Sequence, residues 1–142
     1  MLPSSAIDPN IIQAYLETEY RAHGRPAFTL RVGQASSDLH DAHRLNNVDC
    51  SAFLTACNPL STPFDAAANA ARQALLAEEL SSQGLVFVRG IGQDPTNRWP
   101  GEDSFLVFGL ALDEAKSFGS KYDQNGFIWS GRDAVPQLIL LR

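Results

Sequence analysis

The chain has 142 residues, of which 16 are acidic and 11 are Lys or Arg, so its formal net charge is −5. A chain of this length forms one ordinary domain that buries roughly two thirds of its unfolded surface without disulfide or metal staples. We therefore predict a single domain over residues 1–142. The basic residues are scattered along the sequence, whereas binding to phosphate backbones depends on clustered Lys and Arg, so we predict no nucleic-acid partner.

The start of the chain and the cysteines bear on location. Residues 1–9 carry no basic group and no apolar core, and no stretch reaches the ~18 apolar residues that span a bilayer. We therefore expect no signal peptide, no membrane partner, a flexible start over residues 1–8 and a cytoplasmic protein. Cys50 and Cys57 would be about 23 Å apart on extended chain, beyond the ~7 Å limit for a disulfide, so we expect both thiols to be reduced.

The first third of the chain predicts a helix, a strand and a second helix. Apolar residues at helical spacing after Asp8-Pro9 predict an amphipathic helix over residues 9–22. Strict alternation of apolar and polar residues predicts a strand over residues 27–32. Polar residues that can cap a helix then predict a short helix over residues 36–45.

A central strand is expected next. Residues 52–57 include no charge, Gly or Pro, and both faces of the segment are apolar, which indicates a strand buried on both sides. Asn58-Pro59 must end this strand because proline removes a hydrogen-bond donor from the ladder. Thr62 is then the expected N-cap of an alanine-rich helix over residues 63–83.

A short apolar strand over residues 85–88 follows that helix. We predict that it lies parallel to the central strand, which would complete a βαβ unit with a right-handed crossover. Residues 90–101 have the glycine and proline content of a long loop. The remaining patterns predict a strand over 102–110, a helix from Asp113 as its cap to 122, and strands over 125–130 and 137–141.

These elements predict an α/β fold with α+β-like features. It would have one mixed sheet of about five to six strands, three to four packed helices and one central βαβ unit.

Several short motifs resemble a known family in their order and spacing. They are Phe28-x-Leu-Arg-x-Gly33, Thr55-Ala-x-Asn-Pro59, Ser61, Asn69 in an alanine-rich helix, Gly90, Glu102-x-Ser104-x-x-Val-x-Gly109 and Gln124-Asn125. Together they are similar to the small bacterial family known as domain of unknown function 3293. The resemblance implies a shared fold and a shared site, and no chemistry. This chain departs from the family where Cys57 replaces a larger, often aromatic residue and where Ala68 replaces an acidic one.

The first candidate site lies where the central strand gives way to the helix. Asn58, Ser61, Asn69 and Arg72 would cluster there and could hold a carboxylate or a phosphate. The alternative is that Asn58 pairs with turn amides and Arg72 forms a solvated ion pair.

Four further polar residues flank other strand ends. Glu102, Ser104, Gln124 and Asn125 could join the same site, or they could pin loops through hydrogen bonds to the backbone. Trp99 in the predicted loop could cover a ligand or fold back on the core.

Signatures of catalysis and of cofactors are largely missing. His40 and His43 have helical spacing for two metal ligands, but no third ligand stands at a recognisable distance, so a solvated helix face is the interpretation we favour. His23 is expected at the end of the first helix. No phosphate loop or dinucleotide fingerprint occurs, so we predict no cofactor and no metal. Cys57 could act as a nucleophile only beside a cation that activates it.

We therefore carry three hypotheses of function. The first is a binding domain for a small polar or anionic ligand at the end of the central strand. The second is a small hydrolase-like enzyme that uses the same pocket with Glu102 or Cys57. The third is a protein-protein interaction module, which would show a contiguous apolar surface patch.

Overall fold

The computed structural model describes residues 6–142, which form four helices and seven strands. The helices are α1 (Pro9–Glu17), α2 (Ser37–Leu45), α3 (Ala66–Ser82) and α4 (Leu112–Lys121). The strands are β1 (Glu19–Ala22), β2 (Phe28–Leu30), β3 (Ser51–Leu54), β4 (Val86–Gln93), β5 (Glu102–Phe108), β6 (Gly126–Ser130) and β7 (Gln137–Leu140). None of these helices has the length and apolarity that crossing a membrane requires.

The strands form one curled sheet in the order β2-β1-β4-β5-β3-β6-β7, and every neighbouring pair is antiparallel. The prediction of a mixed sheet of five to six strands was therefore wrong in strand number and direction. β3 and β4 do run the same way, because both pair antiparallel with β5, but β5 lies between them. The expected βαβ unit is thus a split one, in which α3 connects strands that are not neighbours.

The sheet has an apolar cluster on each face, and alternate residues of β5 belong to opposite clusters. The first cluster joins the sheet to α3 and α4 and includes Ala52, Leu54, Leu76, Leu80, Phe105, Val107, Phe118 and Phe127. The second includes Tyr20, Leu30, Phe53, Leu106, Phe108 and Ile128, with Leu39 of α2 packed among them. The two clusters bury β3 on both sides, as its composition predicted, but the strand ends at Leu54 and not at Cys57.

The helix predicted over residues 9–22 is two elements. Asp8 caps α1 as expected, since its carboxylate accepts a hydrogen bond from the Asn10 amide at 2.8 Å. The helix ends at Glu17, however, and β1 follows with ladder partners on both sides. Pairing with β2 and β4 overrides the helical spacing of the apolar residues. His23 consequently follows a strand rather than a helix, and its amide donates to the Arg89 carbonyl.

The loop predicted over residues 90–101 is also shorter than expected. β4 continues to Gln93, so the connection to β5 spans only residues 94–101. Gly90 lies inside this strand. The position requires glycine, because a Cβ there would stand 2.5 Å from the Arg21 carbonyl oxygen and 3.0 Å from the Phe53 ring. Its glycine marks a close approach within the sheet and not a turn.

Both predicted caps of the later helices were wrong. Asp65, and not Thr62, caps α3, because its carboxylate accepts a hydrogen bond from the Ala68 amide at 2.7 Å. Pro59–Ser61 form a 3-10 turn before it. Asp113 lies in the first turn of α4, whose cap position is Ala111.

Residues 1–5 of the start predicted to be flexible lie outside the described part of the chain. Within residues 6–8, Ile7 is buried against the rest of the protein. Both cysteines are free thiols.

Candidate functional site

A cavity of about 770 Å³ lies where β5 begins, between α1, the ends of β1 and β3, and the segment that leads into α3. Ligand pockets of small molecules measure about 300–1,000 Å³, so the cavity is large enough for one. Six aromatic side chains line it, namely Tyr15, Tyr20, Phe53, Phe64, Trp99 and Phe127. Among the described lining residues, the charged ones are Glu102 and Asp103, and neither Lys, Arg nor His is present.

Glu102 lines the cavity at a point where the neighbouring strand of the sheet has no side chain. It is the first residue of β5, and its register partner on β4 is Gly92, which in turn faces Tyr20 on β1. Tyr20, Gly92 and Glu102 thus form a row across three strands. Because Gly92 has no side chain, this row leaves space between the tyrosine ring and the carboxyl group. The cavity therefore continues onto the sheet beside Glu102.

The Glu102 carboxyl is only half satisfied. Its Oε2 accepts a hydrogen bond from Asn58 Nδ2 at 2.8 Å, whereas no group within residues 6–142 bonds to Oε1. Burial raises the pKa of Glu102 to about 7, and the hydrogen bond from Asn58 opposes that rise. A carboxyl in this state exchanges between its acid and its anion at neutral pH.

Asn58 holds Glu102 from a segment of unusual backbone. Asn58, Leu60 and Ser61 have φ values of 48°, 54° and 58°. These values lie in the left-handed region of backbone conformation, which residues other than glycine seldom adopt. Three such residues within four positions cost free energy, and strain of this kind concentrates at functional sites. Asn58 and Ser61, at the two ends of this segment, line the cavity.

Two asparagine side chains stabilise this segment. Asn69 Oδ1 accepts from the Asn58 amide at 2.9 Å, and Asn69 Nδ2 donates to Asn58 Oδ1 at 2.8 Å. The Phe64 amide donates to the same Asn58 oxygen at 2.9 Å. Asn58 therefore pairs with turn groups, as the structural alternative held, and its remaining donor fixes the Glu102 carboxylate.

Tyr15 closes the cavity on the side of α1. Its hydroxyl accepts a hydrogen bond from the Gly126 amide at 3.1 Å and lies 3.3 Å from the Gly126 carbonyl oxygen. Tyr20 donates its own hydroxyl to the Tyr15 carbonyl at 2.6 Å. Burial, with the negative charge of Glu102, raises the pKa of Tyr15 to about 12, so the phenol stays neutral.

Cys57 also lines the cavity but is not activated. Burial raises the pKa of its thiol to about 11, and its Sγ lies 3.5 Å from the Asp103 carbonyl oxygen. A nucleophilic cysteine requires a depressed pKa. The thiol at this position is thus a small, buried, protonated group.

Arg72, predicted to hold an anion, does not line the cavity. Its Nε donates to the Ala56 carbonyl and one Nη donates to the Tyr122 carbonyl, each at 2.6 Å. The guanidinium also lies over the rings of Phe64 and Tyr122, with centroid distances of 5.8 and 5.9 Å. Its charge clamps the chain that follows β3 to the end of α4. The solvated ion pair considered as an alternative does not form either.

The remaining predicted residues divide between the wall and its support. Ser104 and Gln124 line the cavity, and Gln124 donates to the Cys57 carbonyl at 3.0 Å. Asn125 stands behind the wall, where its Nδ2 donates to Ser61 Oγ at 2.9 Å. Six of the eight predicted residues therefore meet at one cavity: Asn58, Ser61, Asn69, Glu102, Ser104 and Gln124. Trp99 joins its wall as well.

Apart from Trp99, the aromatic residues of the wall were not predicted from the sequence. Tyr15 has the spacing of a core residue on an amphipathic helix, and Tyr20 was assigned to the same helix. No local pattern separates a tyrosine that faces a cavity from one that packs in a core. The feature that identifies Tyr20 as a wall residue is the sheet pairing of β1, which places Tyr20 opposite Gly92.

The histidine pair of α2 does not share a solvated face, because His40 is exposed whereas His43 is buried. His43 is 2% exposed, and its Nε2 lies 2.8 Å from Ser51 Oγ at the start of β3. Burial lowers the pKa of His43, which keeps the ring neutral. Within the described residues, no group of three His, Cys, Asp or Glu side chains could hold a metal ion.

The fold and the site define an α/β domain with one curled antiparallel sheet and an aromatic cavity around a half-satisfied carboxyl. The family model described as "Protein of unknown function (DUF3293)" matches residues 54–126, just over half of the chain. The chain belongs to this family, as its motifs indicated. The matched range contains Asn58, Asn69 and Glu102, but it excludes α1 and β1, which close the cavity. No curated protein and no solved structure matches the chain significantly.

Proposed function

We propose that this domain binds a small polar organic molecule in the cavity at the start of β5, with Glu102 as the group that orients the ligand. One observation carries the proposal: a partly buried carboxyl, one oxygen of which has no hydrogen-bond partner within residues 6–142, lies beside an aromatic cavity of about 770 Å³. Every fully buried side-chain N or O atom within the described residues is hydrogen-bonded, so the unpaired Glu102 oxygen is one that remains accessible. Groups with shifted pKa values in clefts concentrate at functional sites.

The predicted residues take different parts in this proposal. Ser61, Ser104 and Gln124 offer polar contacts around the ligand, while Asn58 and Asn69 hold Glu102 and the strained segment in place. Arg72 and Asn125 support the wall from behind. The anionic ligand considered from the sequence is disfavoured, because the charge of Arg72 is already bound to two carbonyl groups.

Thermal unfolding with a panel of small molecules tests the proposal. The panel contains amines, alcohols, sugars, carboxylates, nucleotides and phosphates. A ligand at about a hundred times its dissociation constant adds ~2.7 kcal/mol to the free energy of unfolding. That corresponds to a rise in Tm of about 10 °C for a domain of this size.

The variant Gly92→Leu tests whether binding takes place in this cavity. Its side chain would fill the space beside Glu102 and should abolish the rise in Tm. The wall itself tolerates a Cβ at Gly92, which would stand 3.5 Å from Thr18 Cγ2. If no compound raises Tm, or if Gly92→Leu responds as the wild type does, the ligand does not bind in this cavity.

A second candidate function is catalysis in the same cavity, and the pKa of Glu102 favours it. A carboxyl with a pKa of about 7 is suited to general acid–base catalysis at neutral pH. The hydrolase-like hypothesis then depends on Glu102 as a base for water, since the protonated Cys57 thiol is a poor nucleophile. Turnover of ester, amide and glycoside probes, lost in Glu102→Gln, would support catalysis over simple binding.

The third hypothesis, a protein-interaction module, has less support. The exposed large apolar residues of the described chain are spread over several elements: Leu16, Leu45, Leu60, Phe64, Leu75 and Val86. A cytoplasmic location stays a prediction from the sequence.

A further inference from the structure

We propose that the ligand of this cavity is an organic ammonium ion, with its charged nitrogen at Glu102 Oε1 and its apolar part among the aromatic rings. The inference rests on the proposed function and specifies the ligand class. It follows from the charges, the polar contacts and the wall chemistry of the cavity.

The charges of the cavity favour a cation. Glu102 is the partly buried carboxyl of the wall, and the neighbouring Asp103 adds a second acidic residue at the rim. None of the described lining residues is a Lys, Arg or His that could neutralise them. An anionic ligand would enter a negatively charged site, whereas an ammonium ion would supply the missing counter-charge.

The titratable groups that face Glu102 do not compete for that role. Tyr15 from α1, Tyr20 from β1 and Cys57 beyond β3 all have raised pKa values, mainly because of burial. They are therefore neutral at pH 8, a pH at which Glu102 is ionised. Asp103 at the rim carries the same sign of charge as Glu102.

Two arginines stand near the wall without lining it: Arg72 acts electrostatically on Cys57, and Arg142 acts on Tyr15. Both donate hydrogen bonds to protein oxygens. Among the described lining residues, a bound cation would meet negative charge and no positive group.

The hydrogen bonds leave room for an N–H donor at one atom. Asn58 Nδ2 fixes Oε2 of Glu102, which holds the carboxylate in one orientation, and Oε1 has no partner within residues 6–142. A hydrogen bond from an ammonium group to a carboxylate is stronger than a bond between neutral groups. The aromatic rings of the wall supply apolar contact area and attract cations through their faces.

Isothermal titration at pH 8 with three matched probes tests the inference. The probes are 2-phenylethylammonium, 2-phenylethanol and 3-phenylpropanoate, which share a phenyl ring and differ in charge. We expect the Kd of the ammonium ion to be at least about tenfold below that of the alcohol, as a charged hydrogen bond in a buried site provides. The carboxylate should bind most weakly.

Two variants assign the preference to Glu102. Glu102→Gln keeps the shape of the side chain and should abolish the advantage of the ammonium ion over the alcohol. Glu78→Gln removes the same charge from an exposed position on α3 and should leave that advantage intact.

The pH dependence of the wild type gives a second readout that requires no variant. The Kd of the ammonium ion should rise about tenfold from pH 8 to pH 6, because protons then compete at Glu102.

The outcomes separate the inference from the proposed function. Equal binding of the alcohol and the ammonium ion, with no pH dependence, overturns the inference while the cavity remains a binding site. An ammonium preference that survives in Glu102→Gln overturns it as well. Absence of binding by all three probes and by the wider panel overturns the inference and the proposed function together.

Discussion

Two carboxyl groups lie near each other in sequence, the fully buried Asp94 and the partly buried Glu102, and they differ in how they are paired. Asp94 receives hydrogen bonds from the Thr96 hydroxyl, the Arg98 amide and the Arg98 guanidinium at 2.6–3.0 Å. Arg98 therefore holds the pKa of Asp94 well below its usual range. Glu102 has one hydrogen bond, from Asn58, and burial raises its pKa to about 7.

The difference separates a structural carboxylate from a candidate functional one. The Asp94 network ties the loop before β5 to α1, because Arg98 also bonds to Glu17 Oε2 at 2.6 Å. The same guanidinium lies 5.1 Å from the ring centroid of Trp99, which lines the cavity. Asp94 thus stabilises the wall, whereas Glu102 offers an oxygen to the cavity, an arrangement that we expect to cost folding free energy. Proteins commonly give up stability at such sites in favour of function.

The largest expected effect is a gain of stability on neutralising Glu102. Its pKa in the folded protein lies above the ordinary value of 4.5, so the folded state holds the proton more tightly than the unfolded state does. The wild type therefore loses stability as pH rises from about 4.5 to about 7, and Glu102→Gln avoids this loss. We predict that the variant is more stable by up to about 3 kcal/mol at pH 8 and equally stable near pH 4.

Urea unfolding of both proteins at several pH values measures this difference. Glu78→Gln is the control for a general change of net charge and should show no gain. A loss of stability in Glu102→Gln at pH 8 would mean that the carboxylate is paired in the folded protein, and it would break the contrast with Asp94.

A smaller effect of opposite sign is expected at Asp94. Asp94→Asn weakens the bonds to Arg98 and should destabilise the protein, by less than the change at Glu102 because Arg98 is 55% exposed to solvent. The folded pKa is depressed, so this contribution is present above the ordinary value of 3.8 and is lost as pH falls through the folded pKa.

Thermal unfolding of Asp94→Asn beside the wild type at pH 7 and at pH 3 checks the sign and the window. Arg98→Ala is the companion variant and should lower Tm in the same direction. An Asp94→Asn variant as stable as the wild type at pH 7 would show that the network contributes nothing.

The sequence predicted the existence of most elements and missed how they pair. The apolar run before Asn58 indicated a strand buried on both faces, because composition alone reports burial. That β5 inserts between β3 and β4 depends on contacts between distant segments, which no local pattern contains. Gly90 was misassigned for a related reason: its glycine answers a close approach to Arg21 and Phe53, and locally it resembles a turn residue.

The polar part of the site was easier to predict than its walls. Asn58, Asn69 and Glu102 stand at strand ends and at a helix start, where short-range signals place side chains. Arg72 was assigned to the site because it lies one turn from Asn69, but its guanidinium turns to backbone carbonyls on the other side of the helix start. The shifted pKa of Glu102 depends on burial by α1 and β1, which only the folded chain provides.

The most direct test is an NMR titration of the side-chain carboxyl carbons of Glu102 and Asp94 in the ligand-free protein between pH 3 and pH 9. We predict a midpoint near 7 for Glu102 and a midpoint below the usual range for Asp94. A Glu102 midpoint near its ordinary value of 4.5 would contradict the account, because the carboxylate would then be solvated or paired.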